Sequence, residues 1–426
     1  MERNDPRYQA YVEILKEELI PAMGCTEPIA LAYAAAKARE VLGVLPDSVQ
    51  LQVSGSIIKN VKSVIVPNTG HLKGMEAAVA AGIIAGSAEK ELEVISEVSE
   101  EKQSAIRDYL QTVPITIEHT EQGHVFDIVV TERCGQDYAR VRIADYHTNI
   151  CRIEKNGTVL YEVPLLDETV QADARADRSL LNMQDIWDFA ETADLRDVAD
   201  LLERQIRYNN AIAEEGLLGD YGANIGRVLL TTYGNDVSNR AKAKAAAGSD
   251  ARMNGCELPV IINSGSGNQG ITCSVPLIEY AKELHSGKEK LYRALIISNL
   301  VAIHEKTGIG TLSAYCGAVS AGAGAGAGIV YLCGDGYQAA IHTVVNALAI
   351  VSGIVCDGAK ASCAAKIASS VDAALLGYNM YKCNQEFKGG DGIVMKDIET
   401  TIKGIGRLGK DGMRQTNEEI IRLMMS

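Results

Sequence analysis

The chain has 426 residues, room for two or three domains with a sizeable core. Lys plus Arg is 41 and Asp plus Glu is 55, a formal charge of −14, which argues against nucleic-acid or anionic-membrane partners. With 47% apolar and 23% charged residues the composition is globular, yet 40 Gly, 10 Cys, 3 Phe and 1 Trp predict an interior of closely packed small residues rather than aromatics.

The polar start (MERNDPRYQAYVEILKEE) has no signal-like apolar stretch, so a cytoplasmic location with reduced thiols is expected. Ten cysteines there favour metal or catalytic roles over disulfides. Tyr8, Tyr11, Val12, Leu15 and Leu19 recur at helical spacing, and a second helix is predicted over 28–41. From Ser48 short alternating runs follow: Val49 to Val53, Val64 to Val66, Ile115 to Ile117, Val125 to Val130 and Arg140 to Ile143. Cys151 to Glu154 and Val159 to Val163 flank Asn156-Gly157, a type I′ hairpin signal. Helical patterns at 71–87 and 100–110 interrupt these runs. A long helical stretch, 183–215, leads into Gly/Ala-rich segments, of which 307–334 and 336–356 carry no charge. Their Gly, Ala, Ser and Thr content, with His342 and Asn346 and no flanking basic clusters, fits buried helices better than membrane spans. Ala318, Gly322 and Gly326 repeat every fourth residue, giving one helix face that a neighbour can approach closely. The expected class is α+β: a large Gly/Ala-rich buried-helix catalytic domain (1–45 and 166–426) with a smaller inserted α+β domain (46–165).

Three segments carry candidate chemistry. In Gly24-Cys25-Thr26-Glu27-Pro28, Pro28 suits a helix start, Thr26 or Glu27 can cap it, and Cys25 lies at the positive end of the dipole. That setting is expected to lower its thiol pKa. Ser264-Gly265-Ser266-Gly267-Asn268-Gln269-Gly270 follows an apolar run and presents N–H groups and short polar side chains to an anion. It lacks the GxxxxGK[ST] pattern, and no dinucleotide fingerprint accompanies it. Cys316, Cys356 and Cys363 form the third group, without CxxC spacing. On one continuous helix Cys356 and Cys363 would stand ~10 Å apart; if Asp357 caps a helix, Cys356 can fold back toward Cys363. Asn68-Thr69-Gly70-His71 and His147-Thr148-Asn149 are lesser polar constellations.

Taken in order, GCTEP, SGSGNQG, SAYCGAVSAGAGAGAG and CDGAKASC make the chain resemble the L-cysteine desulfidase family, related to the catalytic alpha chain of iron–sulfur L-serine dehydratases. The resemblance implies a carbon–sulfur lyase in which a [4Fe–4S] cluster is held by Cys316, Cys356 and Cys363, with one iron open to substrate. The gap before Cys363 is shorter than in the dehydratases, and Leu423-Met424-Met425-Ser426 lacks their terminal cysteine. Sulfide would leave L-cysteine to give pyruvate and ammonia, with Cys25 or His147 as base, or Cys25 covering the open iron. Thr26, Glu27, Asn68, Thr69, Thr148, Asn149, Ser264, Ser266, Asn268 and Gln269 are the expected substrate-binding residues. L-Serine dehydration by the same cluster, a pyridoxal-phosphate enzyme and a non-enzymatic amino-acid-binding protein are the rivals. Gly/Ala-faced helices suggest a homodimer.

Overall fold

The computed structural model describes residues 1–120, 124–165, 175–310 and 312–425. It is an α+β structure in which a six-stranded mixed sheet lies against one end of a helical body.

Helix α1 (Pro6–Glu18) is capped by Asp5, whose side chain accepts from Arg7 N. Strand β1 (Pro21–Met23) precedes α2 (Thr26–Leu42). The sheet is formed by β2 (Ser48–Ser54), β3 (Ile115–Thr120), β4 (Asp127–Cys134), β5 (Asp137–Ala144), β6 (Ile150–Lys155) and β7 (Thr158–Glu162), in the spatial order β3-β2-β4-β5-β6-β7. Strands β2 and β3 are parallel and are joined through α3 (Gly55–Val61), α4 (Gly74–Ala85) and α5 (Glu100–Thr112); the other pairings are antiparallel. The alternation read in the sequence sets the register. Leu51 opposes Val130, Val53 opposes Ile128, and these meet Val141 and Ile143 on β5. All six are fully buried, forming one apolar layer beneath α2, which packs on β4 and β5. Asn156 and Gly157 turn the last hairpin with φ of 48° and 82°, as a type I′ turn requires.

Two expectations are corrected. Val64 to Val66 forms no strand: a single bridge joins Ile65 to Lys73, because Pro67 lacks the N–H to continue a ladder and the chain turns back so that Val66 N reaches Leu72 O. The stretch 183–215 is two helices, α6 (Met183–Thr192) and α7 (Ala199–Leu218). Between them Asp194 accepts from Arg196 N and starts a separate short turn at Leu195–Asp197, a local bond that competes with the helix ladder.

The helical body continues with α8 (Ile225–Tyr233), α9 (Val237–Met253), the short strand β8 (Pro259–Ile261), α10 (Gly267–Glu283), α11 (Lys288–Ile309), α12 (Gly317–Cys333), α13 (Tyr337–Val351), α14 (Ser362–Lys382), α15 (Ile398–Arg407) and α16 (Arg414–Met425). Helix α12 is central and touches α10, α11, α13 and α14. Its small residues allow this. A Cβ at Gly324 would stand 2.4 Å from Ser298 O of α11, and one at Gly322 would stand 2.8 Å from Ser370 of α14. The two uncharged segments thus end as buried helices, and among the described residues no helix is long and apolar enough to cross a membrane.

Candidate functional site

Four helices aim their N-termini at one cavity of about 100 Å³, lined among others by Cys25, Glu27, His147, Arg252, Gln269, Cys316, Cys356 and Cys363. Short backbone bridges bring these helix starts together. Strand β1 pairs antiparallel with β8, Pro21 opposite Ile261 and Met23 opposite Pro259, and this ties together the two chain segments that lead into α2 and α10. One leads to Cys25, the N-cap of α2; the other leads through a tight turn to Ser266, the N-cap of α10. In that turn Asn263 and Ser266 exchange backbone hydrogen bonds, and Ser264 and Gly265 have φ of 49° and 75°. Gly265 is doubly suited: its conformation disfavours a side chain, and a Cβ would stand 3.0 Å from His147 Cε1. Thr26 Oγ1 donates to Gly265 O at 3.0 Å and locks the turn onto α2.

A second bridge, Tyr315 with Val355, sets Cys316 beside Cys356: Cys316 N donates to Ile354 O at 3.1 Å and Cys356 N to Ala314 O at 2.6 Å. Cys316 is the N-cap of α12, and Cys363 lies in the first turn of α14. Asp357 does not cap that helix. Ala361 is the N-cap, and the Asp357 carboxylate pairs with Lys366 and Lys360. The chain folds back by another route: Gly358, at φ +93°, packs against Lys59 O where a Cβ would stand 2.2 Å away, and Cys363 Sγ lies 3.6 Å from Gly358 O.

Buried charges surround the cavity. Lys59 is 2% exposed and donates to Cys356 O at 3.3 Å and to Asn417 Oδ1 at 2.7 Å. Lys306 is also buried and donates to Gly310 O. Burial lowers both ammonium pKa values, that of Lys306 to about 8, against the opposing pull of the neighbouring cysteines. Burial pushes the Cys316 thiol up to about 12, with Cys356 and Cys363 adding to the rise, and burial also raises Cys363.

Glu27 is held at both oxygens. Its Oε2 accepts from Cys25 Sγ at 3.0 Å, and its Oε1 accepts from Asn60 Nδ2 at 3.2 Å and lies 3.9 Å from His147 Nε2. Burial pushes this carboxyl up, but His147 and Cys25 outweigh it and hold it down to about 2. Cys25 moves the opposite way from the expectation. Its thiol is raised well above the usual range, first by burial and then by the Glu27 carboxylate, which outweigh the α2 dipole and Arg252. His147, on the loop between β5 and β6, enters the cavity from the sheet and stacks edge-on against Phe126 with centroids 4.7 Å apart. Its Nε2, Gln269 Oε1 and Arg252 Nε are buried without hydrogen-bond partners, three polar atoms left for a ligand.

Of the expected residues, Cys25, Thr26, Glu27, His147, Ser264, Ser266, Asn268, Gln269, Cys316, Cys356 and Cys363 line this one cavity. Four expected substrate-binding residues do not. Asn68 donates to Ile95 O at 2.8 Å, and Thr69 spans Val66 O and Leu72 N, so both hold the 66–72 turn. Asn149 Nδ2 donates to Ala144 O and holds the loop that carries His147, and Thr148 sits in that loop outside the lining. Sequence reasoning missed Asn60, Arg252 and Lys306, which belong to no short motif. For Arg252 the available signal was a pair of charges, Asp250 and Arg252, in the otherwise uncharged run AAAGSDARM.

Among the described residues no three His, Cys, Asp or Glu side chains are close enough to hold a single metal ion. The three cysteines instead surround a shared space, Cys316 and Cys363 from the starts of α12 and α14 and Cys356 from the loop between α13 and α14.

A thiol-lined cavity with a few convergent polar groups, at the meeting of helix N-termini, defines a small-molecule site in an α+β protein. Comparison gives the class: residues 89–422 match the model of the serine dehydratase alpha chain. The chain belongs to that family, which makes it a lyase of the dehydratase type. Relatives similar over nearly their full length are UPF0597 proteins of Desulfitobacterium hafniense (61% identical, covering 100% of this chain and 99% of the relative), Lachnoclostridium phytofermentans (52%, 98% and 100%) and Treponema denticola (47%, 100% and 100%).

Proposed function

We propose that the protein is an iron–sulfur-dependent L-cysteine desulfidase, eliminating sulfide from L-cysteine to leave pyruvate and ammonia. The observation that carries this reading is the meeting of Cys316, Cys356 and Cys363, from separate parts of the chain, around the same cavity as Cys25, Glu27 and His147. The donor set suits a [4Fe–4S] cluster: three thiols, no carboxylate among the intended ligands, and the buried cations Lys59 and Lys306 to balance the charge that thiolates would bring. With three protein ligands the cluster supplies a Lewis-acidic iron with an open position.

The chain's own groups have separable tasks. Glu27 is ionised and accepts a hydrogen bond from the Cys25 thiol, so Cys25 rests protonated and is a proton donor toward a departing sulfide. This reverses the first expectation that Cys25 is the base. His147 Nε2, unpartnered and facing Glu27, is the group that receives the Cα proton, and the nearby carboxylate stabilises the imidazolium. Ser264 and Ser266, beside the start of α10, bind and orient the amino acid, and His147 reaches the cavity from the sheet. On this reading the sheet unit is a domain inserted into the helical catalytic body, with its β5–β6 loop as its contribution to the site.

L-Serine dehydration is the second reading, favoured by the family match; the same groups would then protonate a leaving hydroxide. Sulfide is the better leaving group, and a thiol proton donor in the cavity fits the sulfur substrate. The test is anaerobic release of pyruvate and sulfide from L-cysteine, with pyruvate from L-serine measured beside it. Faster turnover of L-cysteine supports the proposal; turnover of L-serine alone replaces it with the second reading, and turnover of neither overturns both.

A further inference from the structure

We propose that Arg252 is the anchor for the substrate's carboxylate, which restricts the site to amino acids with a free α-carboxyl group; the assignment rests on the amino-acid lyase reading. Arg252 lies in the last turn of α9 and is 2% exposed. Its Nη1 donates to Asn268 Oδ1 at 3.1 Å, and its Nε has no hydrogen-bond partner. Among the described residues no carboxylate stands within ion-pair distance of it. The nearby carboxylate of Glu27 is already engaged by Cys25 and Asn60. A buried guanidinium without a counter-ion is strongly unfavourable unless a ligand provides the anion.

The surroundings complete an anion site. The guanidinium lies along Gly267, where a Cβ would stand 2.3 Å from Nε and 2.7 Å from Cζ. Gly267 opens α10, so the free N–H groups of that helix's first turn and the planar fork of Arg252 face the same space. Gln269, one residue past Asn268, is 5% exposed, and its Oε1 is unpartnered, suited to the substrate's ammonium. Its amide lies against Gly317, beside Cys316; a Cβ on Gly317 would stand 2.6 Å from Gln269 Cδ. The sequence Arg252, Gln269, Gly317 therefore leads from the guanidinium to Cys316. An amino acid laid along it has its carboxylate at Arg252 and its β-substituent toward Cys316. Asn268, expected to bind substrate, acts here by holding Arg252.

The experiment uses anaerobically purified, iron-loaded full-length protein and reads equilibrium binding of L-serine and of ethanolamine, which lacks the carboxylate, by titration calorimetry. Turnover and iron content are measured on the same preparations. Wild-type protein is expected to bind L-serine and to ignore ethanolamine at the same concentrations. Arg252→Gln should weaken L-serine binding about 10- to 100-fold and raise KM more than it lowers kcat, with iron content unchanged. Arg252→Lys, which retains charge but loses the fork, should fall between. If Arg252→Gln does not fold, Gly267→Ala displaces the guanidinium without removing it and should raise KM in the same direction. Wild-type affinity for L-serine in a folded Arg252→Gln or Arg252→Lys protein, or equal binding of ethanolamine by the wild type, overturns the assignment alone. A wild type that binds no amino acid and turns none over overturns the proposed function together with it.

Discussion

Two cysteines occupy the same structural position and are treated in opposite ways. Cys25 caps α2 and Cys316 caps α12; neither thiol makes a capping hydrogen bond, and both face one cavity. Cys25 meets a carboxylate, Glu27, which accepts a hydrogen bond from its thiol at 3.0 Å. Cys316 meets two further thiols and, beyond them, buried lysines. A helix N-terminus therefore does not fix what a cysteine does. On the proposed reading, Glu27, His147 and Arg252 move protons and hold an amino acid, while Cys316, Cys356 and Cys363 hold a soft cationic group, whose arrival would displace the thiol protons that burial otherwise retains.

The sharpest way to break this comparison is to exchange the fates of the two cysteines. Cys316→Ser should abolish both bound iron and turnover, whereas Cys25→Ser should retain iron and lower turnover alone; iron analysis and pyruvate assay on each variant check it. Equal iron loss in both would place Cys25 among the cluster ligands. Next in size, Glu27→Gln should lower kcat by about 10²- to 10⁴-fold with iron retained, since a neutral amide cannot stabilise an imidazolium at His147. The same residue gives a pH signature. Its folded pKa of about 2 lies below the ordinary 4.5, so its contribution to stability is present above pH 4.5 and is lost as pH falls through 2. The stability difference between wild type and Glu27→Gln, read by denaturant titration, should shrink across that window. A difference that grows on acidification would show that Glu27 is protonated in the native state.

Smaller effects test the framework. Gly324→Ala drives a methyl toward Ser298 O of the α11 backbone, and should destabilise the protein by about 1–3 kcal/mol, seen as a lower Tm, with little change in the Cys151 side of the sheet. Thr148→Ala should leave KM within about twofold of wild type, because Thr148 lies outside the cavity lining.

The sequence conveyed much of this arrangement, and for identifiable reasons. Alternation placed β2, β4 and β5 correctly because one face of each strand is fully buried, and Asn156-Gly157 announced its turn because few other pairs tolerate two positive φ values. The small-residue face of α12 was legible because only Gly, Ala and Ser leave room for α11 and α14. The grouping of GCTEP, SGSGNQG and the late cysteines came from family resemblance. What assembles them is backbone pairing between Pro21–Met23 and Pro259–Ile261, and between Tyr315 and Val355, contacts far apart in sequence and too short to leave a pattern. Arg252 and Lys306 were hidden because each is one of several charges on its helix, and no local pattern marks it as the buried one. The ionisation of Cys25 was misread for a related reason: the helix dipole is visible in a local motif, but burial is not.

The most direct measurement is iron and acid-labile sulfide in anaerobically purified wild-type protein and in Cys316→Ser. The account predicts about four of each per wild-type chain, with both lost in the variant. Wild-type protein that releases pyruvate from L-cysteine or L-serine while binding no iron would contradict it.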